Sequence, residues 1–154
     1  MPSSVLTTAP EQAPALNRAL IDNPFLVVGL CAAWCNTCAE FRKTFEDIAA
    51  ERPDSTFVWI DIEDDANIAD DIDIENFPTI AVFHRARALH FGASLPQRSI
   101  VTRLLDALSA DSPEIPTDPS VVSLPRRLMH GDADSGQSAS INASSGSPSK
   151  AATN

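Results

Sequence analysis

A chain of 154 residues has room for one domain of ordinary size and an appendage. Twenty-one acidic residues against eleven basic give a formal net charge of −10, a surface that argues against non-specific binding to nucleic acid or to anionic membranes. The longest apolar run, Phe25 to Trp34, is about half of the ~20 residues that cross a bilayer, so no membrane span is expected.

Taken in order, Met1 to Pro10 is an extended lead-in with a short strand around Val5 and Leu6. From Pro14, the residues Leu16, Ala19 and Leu20 recur at helical spacing until Asn23-Pro24 ends the pattern. Phe25 to Cys31 is a nearly continuous apolar run of strand length, as in a strand buried on both faces. Phe41, Phe45, Ile48 and Ala49 then mark one face of a helix reaching about Arg52, where Pro53-Asp54 stops it. Thr56 to Ile62 reads as a second buried strand, and the acidic stretch Glu63 to Ile74 as a short helix and loop. Thr79 to His84 and Ala88 to Phe91 form a hairpin around Arg85-Ala86-Arg87, and Ile100, Val101, Leu104, Leu105 and Leu108 stripe a last helix after Pro96. The βα, βα, ββα order predicts an α/β fold, a central mixed sheet with helices on both faces.

Composition divides the chain. Residues 1–110 read as one domain, and 111–154 as a Ser-, Pro- and Asp-rich tail expected to be disordered, because it holds too little apolar surface to offset its chain entropy. Within it, Val121 to Met129 is an apolar island that reads as part of the tail, with docking on a partner or on its own domain as the alternative.

The chemistry concentrates in Trp34-Cys35-Asn36-Thr37-Cys38, which follows an apolar strand and opens a helical pattern. A cysteine at a helix N-terminus sits among unpaired backbone N–H groups and the positive end of the helix dipole, which favour a thiolate. A second cysteine three residues on lies in the first turn, within reach of a disulfide. The chain holds three cysteines, too few for a secreted disulfide framework. Neither a second Cys-x-x-Cys nor a close histidine pair completes a four-ligand zinc site, so no metal is expected. Met1 to Pro14 carries neither a basic region nor an apolar core of a secretory signal, and a cytoplasmic location is expected. Cys31, at the end of the strand, reads as a buried structural residue, with a regulatory or intermolecular thiol as the alternative. The acidic cluster between Asp61 and Glu75 lacks the glycine and terminal glutamate of a calcium loop and reads as a solvated face. His84, His90 and His130 are scattered and receive no role.

With Phe77-Pro78-Thr79 before a strand and Phe91-Gly92-Ala93 after it, the Trp-Cys-x-x-Cys stretch resembles the thioredoxin family over roughly residues 12–108. The resemblance implies a thioredoxin-like fold and a thiol–disulfide oxidoreductase that reduces protein disulfides and needs no cofactor. Cys35 would be the exposed nucleophile that forms a mixed disulfide with substrate, and Cys38 the buried thiol that resolves it. Trp34, Phe77, Pro78 and Gly92 would line the substrate groove, with Pro78 cis and presenting no N–H beside the thiolate. Implied partners are disulfide-containing proteins and an electron donor, either glutathione or a reductase like that of thioredoxins. The alternative is an interaction or redox-switch protein of the same fold without general reductase activity.

The chain departs from the family at three points. Gly29 stands where the best-known members bury an aspartate that assists proton transfer, and Trp59 matches its lysine neighbour. Asn36-Thr37 replaces Gly-Pro between the cysteines, which predicts a midpoint between about −270 and −180 mV, the values of thioredoxin and protein disulfide isomerase. Ala39-Glu40 replaces the basic residue that often follows the second cysteine.

Overall fold

The structure is a computed structural model that describes residues 5–69, 72–74 and 76–135. At its centre is Phe25–Cys31 (β2), buried from Leu26 onward. It pairs in parallel with Ser55–Asp61 (β3) and antiparallel with Thr79–His84 (β4). Both edges are therefore hydrogen-bonded, and a continuous apolar run fits because neither face meets water. Val5–Leu6 (β1) adds parallel to β3 and Arg87–Ala93 (β5) antiparallel to β4, giving the order β1-β3-β2-β4-β5. The expected mixed sheet is thus the one formed.

Successive strand residues point to opposite faces, and the core divides accordingly. Leu26, Val28 and Leu30 of β2, with Val58, Ile60 and Phe83, pack on one face with Leu16 of Ala13–Asp22 (α1) and Ile68 of Ala66–Ala69 (α3). Val27, Phe57, Ile80 and Val82 pack on the other against Asn36–Ala50 (α2) and Arg98–Ala107 (α4). Helix α2 buries Cys38, Phe41, Phe45, Ile48 and Ala49, spacings that keep one stripe of a 3.6-residue helix on the sheet.

The β4–β5 turn is held from outside. Arg85 sits at φ 55°, a region non-glycine residues seldom occupy, and its N–H donates to the Pro24 carbonyl at 2.8 Å. Its guanidinium donates to the Ile21 carbonyl at 2.9 Å, so a cation satisfies the last turn of α1, where the helix dipole is negative.

Two expectations change here. The acidic stretch is not only a solvated face. An Asp61 carboxylate oxygen accepts the N–H groups of Glu63 and Asp64 at 2.9 and 3.1 Å, and Asp65 accepts the Asp61 N–H at 3.1 Å and the Thr8 hydroxyl. These carboxylates shape the turn into α3, an Asx-type use of short acidic side chains. Asp70, Asp71 and Glu75 lie outside the described residues.

The second correction concerns the boundary at residue 110. Beyond it the chain runs along β5: the Arg87 guanidinium donates to the Ser112 carbonyl at 2.8 Å, and the Ile115 N–H to the Ala88 carbonyl at 2.9 Å. Pro119–Val122 (α5) and Leu124–Ser135 (α6) follow, with Val121, Leu124 and Leu128 buried in the core on the α1 side. Arg127 ties the segment down through the carbonyls of Ile68 and Ser120. The apolar island thus docks on its own domain, where it covers an edge strand and completes a core. Of the expected tail, residues 136–154 lie outside the described residues.

Candidate active site

The strand registers assemble one end of the sheet. Leu30 lies opposite Thr79, and Thr79 opposite Ala93, so the end of β2, the start of β4 and the end of β5 stand side by side. Cys31 is the last residue of β2, Pro78 precedes β4, and Gly92 pairs with Ile80. From Cys31 the chain needs only three residues to reach Cys35 at the mouth of α2.

Cys35 is the N-cap of α2, with extended backbone at φ −91° and ψ 115°. Its N–H donates to the Ala32 carbonyl at 3.0 Å, and its own carbonyl accepts the Ala39 N–H at 3.2 Å, the bond that starts the helix. The N–H groups of the first turn have no intrahelical acceptor, so the half-buried Cys35 sits where a helix favours negative charge. Cys38, one turn in, is 2% exposed.

Opposite lies the Phe77–Pro78 peptide, which is cis. The Thr79 hydroxyl donates to the Asn76 carbonyl at 2.7 Å and the Ser94 N–H to the Pro78 carbonyl at 2.9 Å, which pins the loop to β5. Trp34, 65% exposed, meets Phe77 edge-on with ring centroids 5.4 Å apart. The six residues expected at the site, Trp34, Cys35, Cys38, Phe77, Pro78 and Gly92, therefore converge on this end of the sheet. Leu95 was not anticipated. It is 60% exposed just after Ser94 and extends the apolar rim, and its signal is an apolar residue between a glycine turn and Pro96.

The bonding of the cysteines differs from expectation. Cys38 is joined to Cys31, with Cα atoms 5.9 Å apart, and Cys35 is the free thiol. Cys31 is buried, as read from the sequence, but it is not an inert small residue. The cause is the alternation along β2: Val27, Gly29 and Cys31 share the face that α2 covers, and Cys38 is the first buried residue of that helix. The clue in the sequence was the position of Cys31 at the strand end from which the motif departs.

Gly29 also has a structural reason. It lies opposite Trp59 in the β2–β3 register, and a Cβ there would come 3.2 Å from the Trp59 ring and 3.3 Å from that of Phe45. The indole thus occupies the space above Gly29, packed against Phe41 and Phe45 and covered by the Arg42 guanidinium 5.1 Å from its centre. Where the resemblance would bury a carboxylate beside a lysine, this chain builds an aromatic stack. His90, opposite Val82 on β5, has Nε2 buried with no partner among the described residues, and burial lowers its pKa from 6.5.

A sequence model of the thioredoxin family matches residues 7–105. The thioredoxin of Mycoplasmoides gallisepticum is 32% identical over 68 residues, which cover 44% of this chain and 68% of that one. A putative thioredoxin 2 of Streptomyces coelicolor is 25% identical over 100 residues, 64% of this chain and 75% of its own. Among solved structures, a thioredoxin of Nicotiana alata superposes with a TM-score of 0.56 at 19% identity, over 71% of this chain and 96% of that one, a likeness of fold.

Proposed function

The chain belongs to the thioredoxin family, and on that premise we propose that this thiol–disulfide oxidoreductase reduces disulfides in protein substrates, with Cys35 as the entering nucleophile. The observation that carries the reading is the position of Cys35: free, half-buried, at the N-cap of α2 and across from the cis Phe77–Pro78 bond. A thiolate is the attacking species in disulfide exchange, and a helix N-terminus supports it. The exposed Trp34 and Leu95, with the half-buried Phe77, give an extended peptide an apolar bed, while Pro78 and Gly92 bring little but backbone to it, which suits a groove that accepts many sequences.

Cys35 attacks one sulfur of the substrate disulfide and forms a mixed disulfide, and Cys38 releases the reduced product by attacking Cys35. Glutathione or a reductase then restores the dithiol, a direction that suits a reducing compartment such as the cytoplasm. The test is to mix Cys38→Ser protein with insulin and look by mass spectrometry for a covalent adduct on Cys35. An adduct there, with turnover by the unaltered chain and none by Cys35→Ser, supports the reading. Absence of both adduct and turnover would make the chain a binding module.

A further inference from the structure

Cys38 has two cysteine neighbours, one along its helix and one across a bond. On its outer side, one turn back, is the half-buried Cys35; on its inner side is Cys31, 1% exposed, to which it is bonded. We propose that Cys31 is a third participant in the exchange. The disulfide first made between Cys35 and Cys38 passes inward to Cys31–Cys38, so that the oxidised protein carries a free Cys35. This rests on the reading of Cys35 as the entering nucleophile.

The steps balance. Cys35 thiolate attacks the substrate disulfide R–S–S–R′, forming Cys35–S–S–R and releasing R′–S⁻. Cys38 thiolate attacks the Cys35 sulfur, forming Cys35–Cys38 and releasing R–S⁻. Cys31 thiolate then attacks the Cys38 sulfur; the Cys31–Cys38 bond forms as the Cys35–Cys38 bond breaks, and Cys35 leaves with the electron pair. In sum, the two electrons come from the Cys31 and Cys38 thiols. Their two protons pass through water to R–SH and R′–SH, and Cys35 ends as it began. Reduction of the protein runs the last step backwards. Cys35 attacks Cys38 and brings the disulfide out to where an external thiol reaches it.

The placement has two consequences. Both sulfurs of the inner disulfide belong to residues no more than 2% exposed, so a soluble thiol gains access only through Cys35. While Cys38 is held by Cys31 it cannot resolve a mixed disulfide, so the oxidised protein holds any partner whose disulfide Cys35 attacks, the partner's second sulfur leaving as thiolate. The third cysteine thereby converts a two-state reductant into one whose oxidised form retains a reactive thiol.

The test needs no substrate. The full chain is oxidised with stoichiometric diamide, quenched in acid, labelled with N-ethylmaleimide in denaturant and digested with trypsin. All three cysteines fall in the one tryptic peptide 19–42, so fragmentation reads which carries the label. The expected result is one label per oxidised chain, at Cys35 in at least tenfold excess over Cys31; Cys31→Ser and Cys31→Ala chains oxidise to Cys35–Cys38 and take no label. A label on Cys31, with Cys35 and Cys38 linked, overturns the proposal. The decisive measurement is on the unaltered chain and survives any failure of a variant to fold. It is also independent of turnover: loss of insulin reduction would sink the functional reading, and a label on Cys31 would sink only the inner disulfide.

Discussion

The two faces of the sheet are made by the same strands yet assembled from different parts of the chain. The face toward α2 is the aromatic one. Phe41, Phe45, Phe57 and Trp59 cluster there, with Trp59 and Phe45 over Gly29 and the cysteines at its end, and Val5, Ile80, Val82, Val101 and Leu105 complete it from elsewhere in the chain. The opposite face is aliphatic and distant in sequence: Leu16, Val28, Ile60 and Phe83 are closed off by Val121, Leu124 and Leu128. The first face carries the three cysteines, and the second is closed by the C-terminal helices. A reactive end needs side chains oriented by tight aromatic packing, whereas a lid needs only apolar bulk at the right place.

Substitutions sharpen this contrast. The largest effect is expected at Phe45, fully buried between Phe57 and Trp59; Phe45→Ala should cost about 3–5 kcal/mol in urea unfolding and also slow insulin reduction, since it loosens α2 under Cys38. Leu124→Ala, on the other face, should cost about 2–4 kcal/mol while turnover per folded molecule stays unchanged. A cost below about 0.5 kcal/mol, the scale of a surface change, would mean that the C-terminal helices do not share the core.

Gly29→Ala should destabilise by about 1–2 kcal/mol, because its Cβ meets two ring edges at 3.2 and 3.3 Å. If Trp59 is the obstacle, Gly29→Ala in a Trp59→Ala background should cost at least about 0.5 kcal/mol less than it does alone. Additivity of the two would break the packing account of Gly29.

A smaller effect is tied to pH. Burial lowers the pKa of His90 from 6.5, so the unfolded chain binds that proton more tightly than the folded one. Stability is therefore intact above 6.5 and falls as pH drops below it toward the folded value. The urea midpoint of the unaltered chain should decline between about pH 7.5 and 5.5 more than that of His90→Gln, and equal slopes would remove His90 from the account. The smallest effect is expected at Arg42, whose guanidinium covers Trp59 and pairs with Glu46 at 3.0 Å. Arg42→Ala should cost only about 0.5–1 kcal/mol, as befits a half-exposed cation over a ring.

How much was legible follows from distance along the chain. Hydrophobic periodicity reports a strand or helix through its own residues, so β2 to β5 and α1, α2 and α4 were readable, and their succession implied a mixed sheet, while the order of strands within it came from the structure. The placement of the candidate site residues was readable for the same reason: their motifs are short and sit at the ends of elements the sequence marks. The C-terminal segment was not. Val121, Leu124 and Leu128 do stand at helical spacing, but three apolar residues among serines, prolines and acids bury enough only because a cavity beside α1 and β5 awaits them. No local pattern contains that cavity.

By itself, then, the sequence determined that this chain is an α/β protein of thioredoxin type with a Cys-x-x-Cys at a strand-to-helix junction. Each of those features is written in consecutive residues whose physics is local. Tertiary structure decided which sulfurs are bonded, why position 29 is glycine, and where the domain ends. Those depend on what faces what across the sheet: Cys31 meets Cys38 because strand alternation turns Cys31 toward α2, whose buried face carries Cys38. Gly29 yields to an indole on the neighbouring strand, and residues 121–128 join a core whose central-strand members, Leu26, Val28 and Leu30, lie far earlier in the chain.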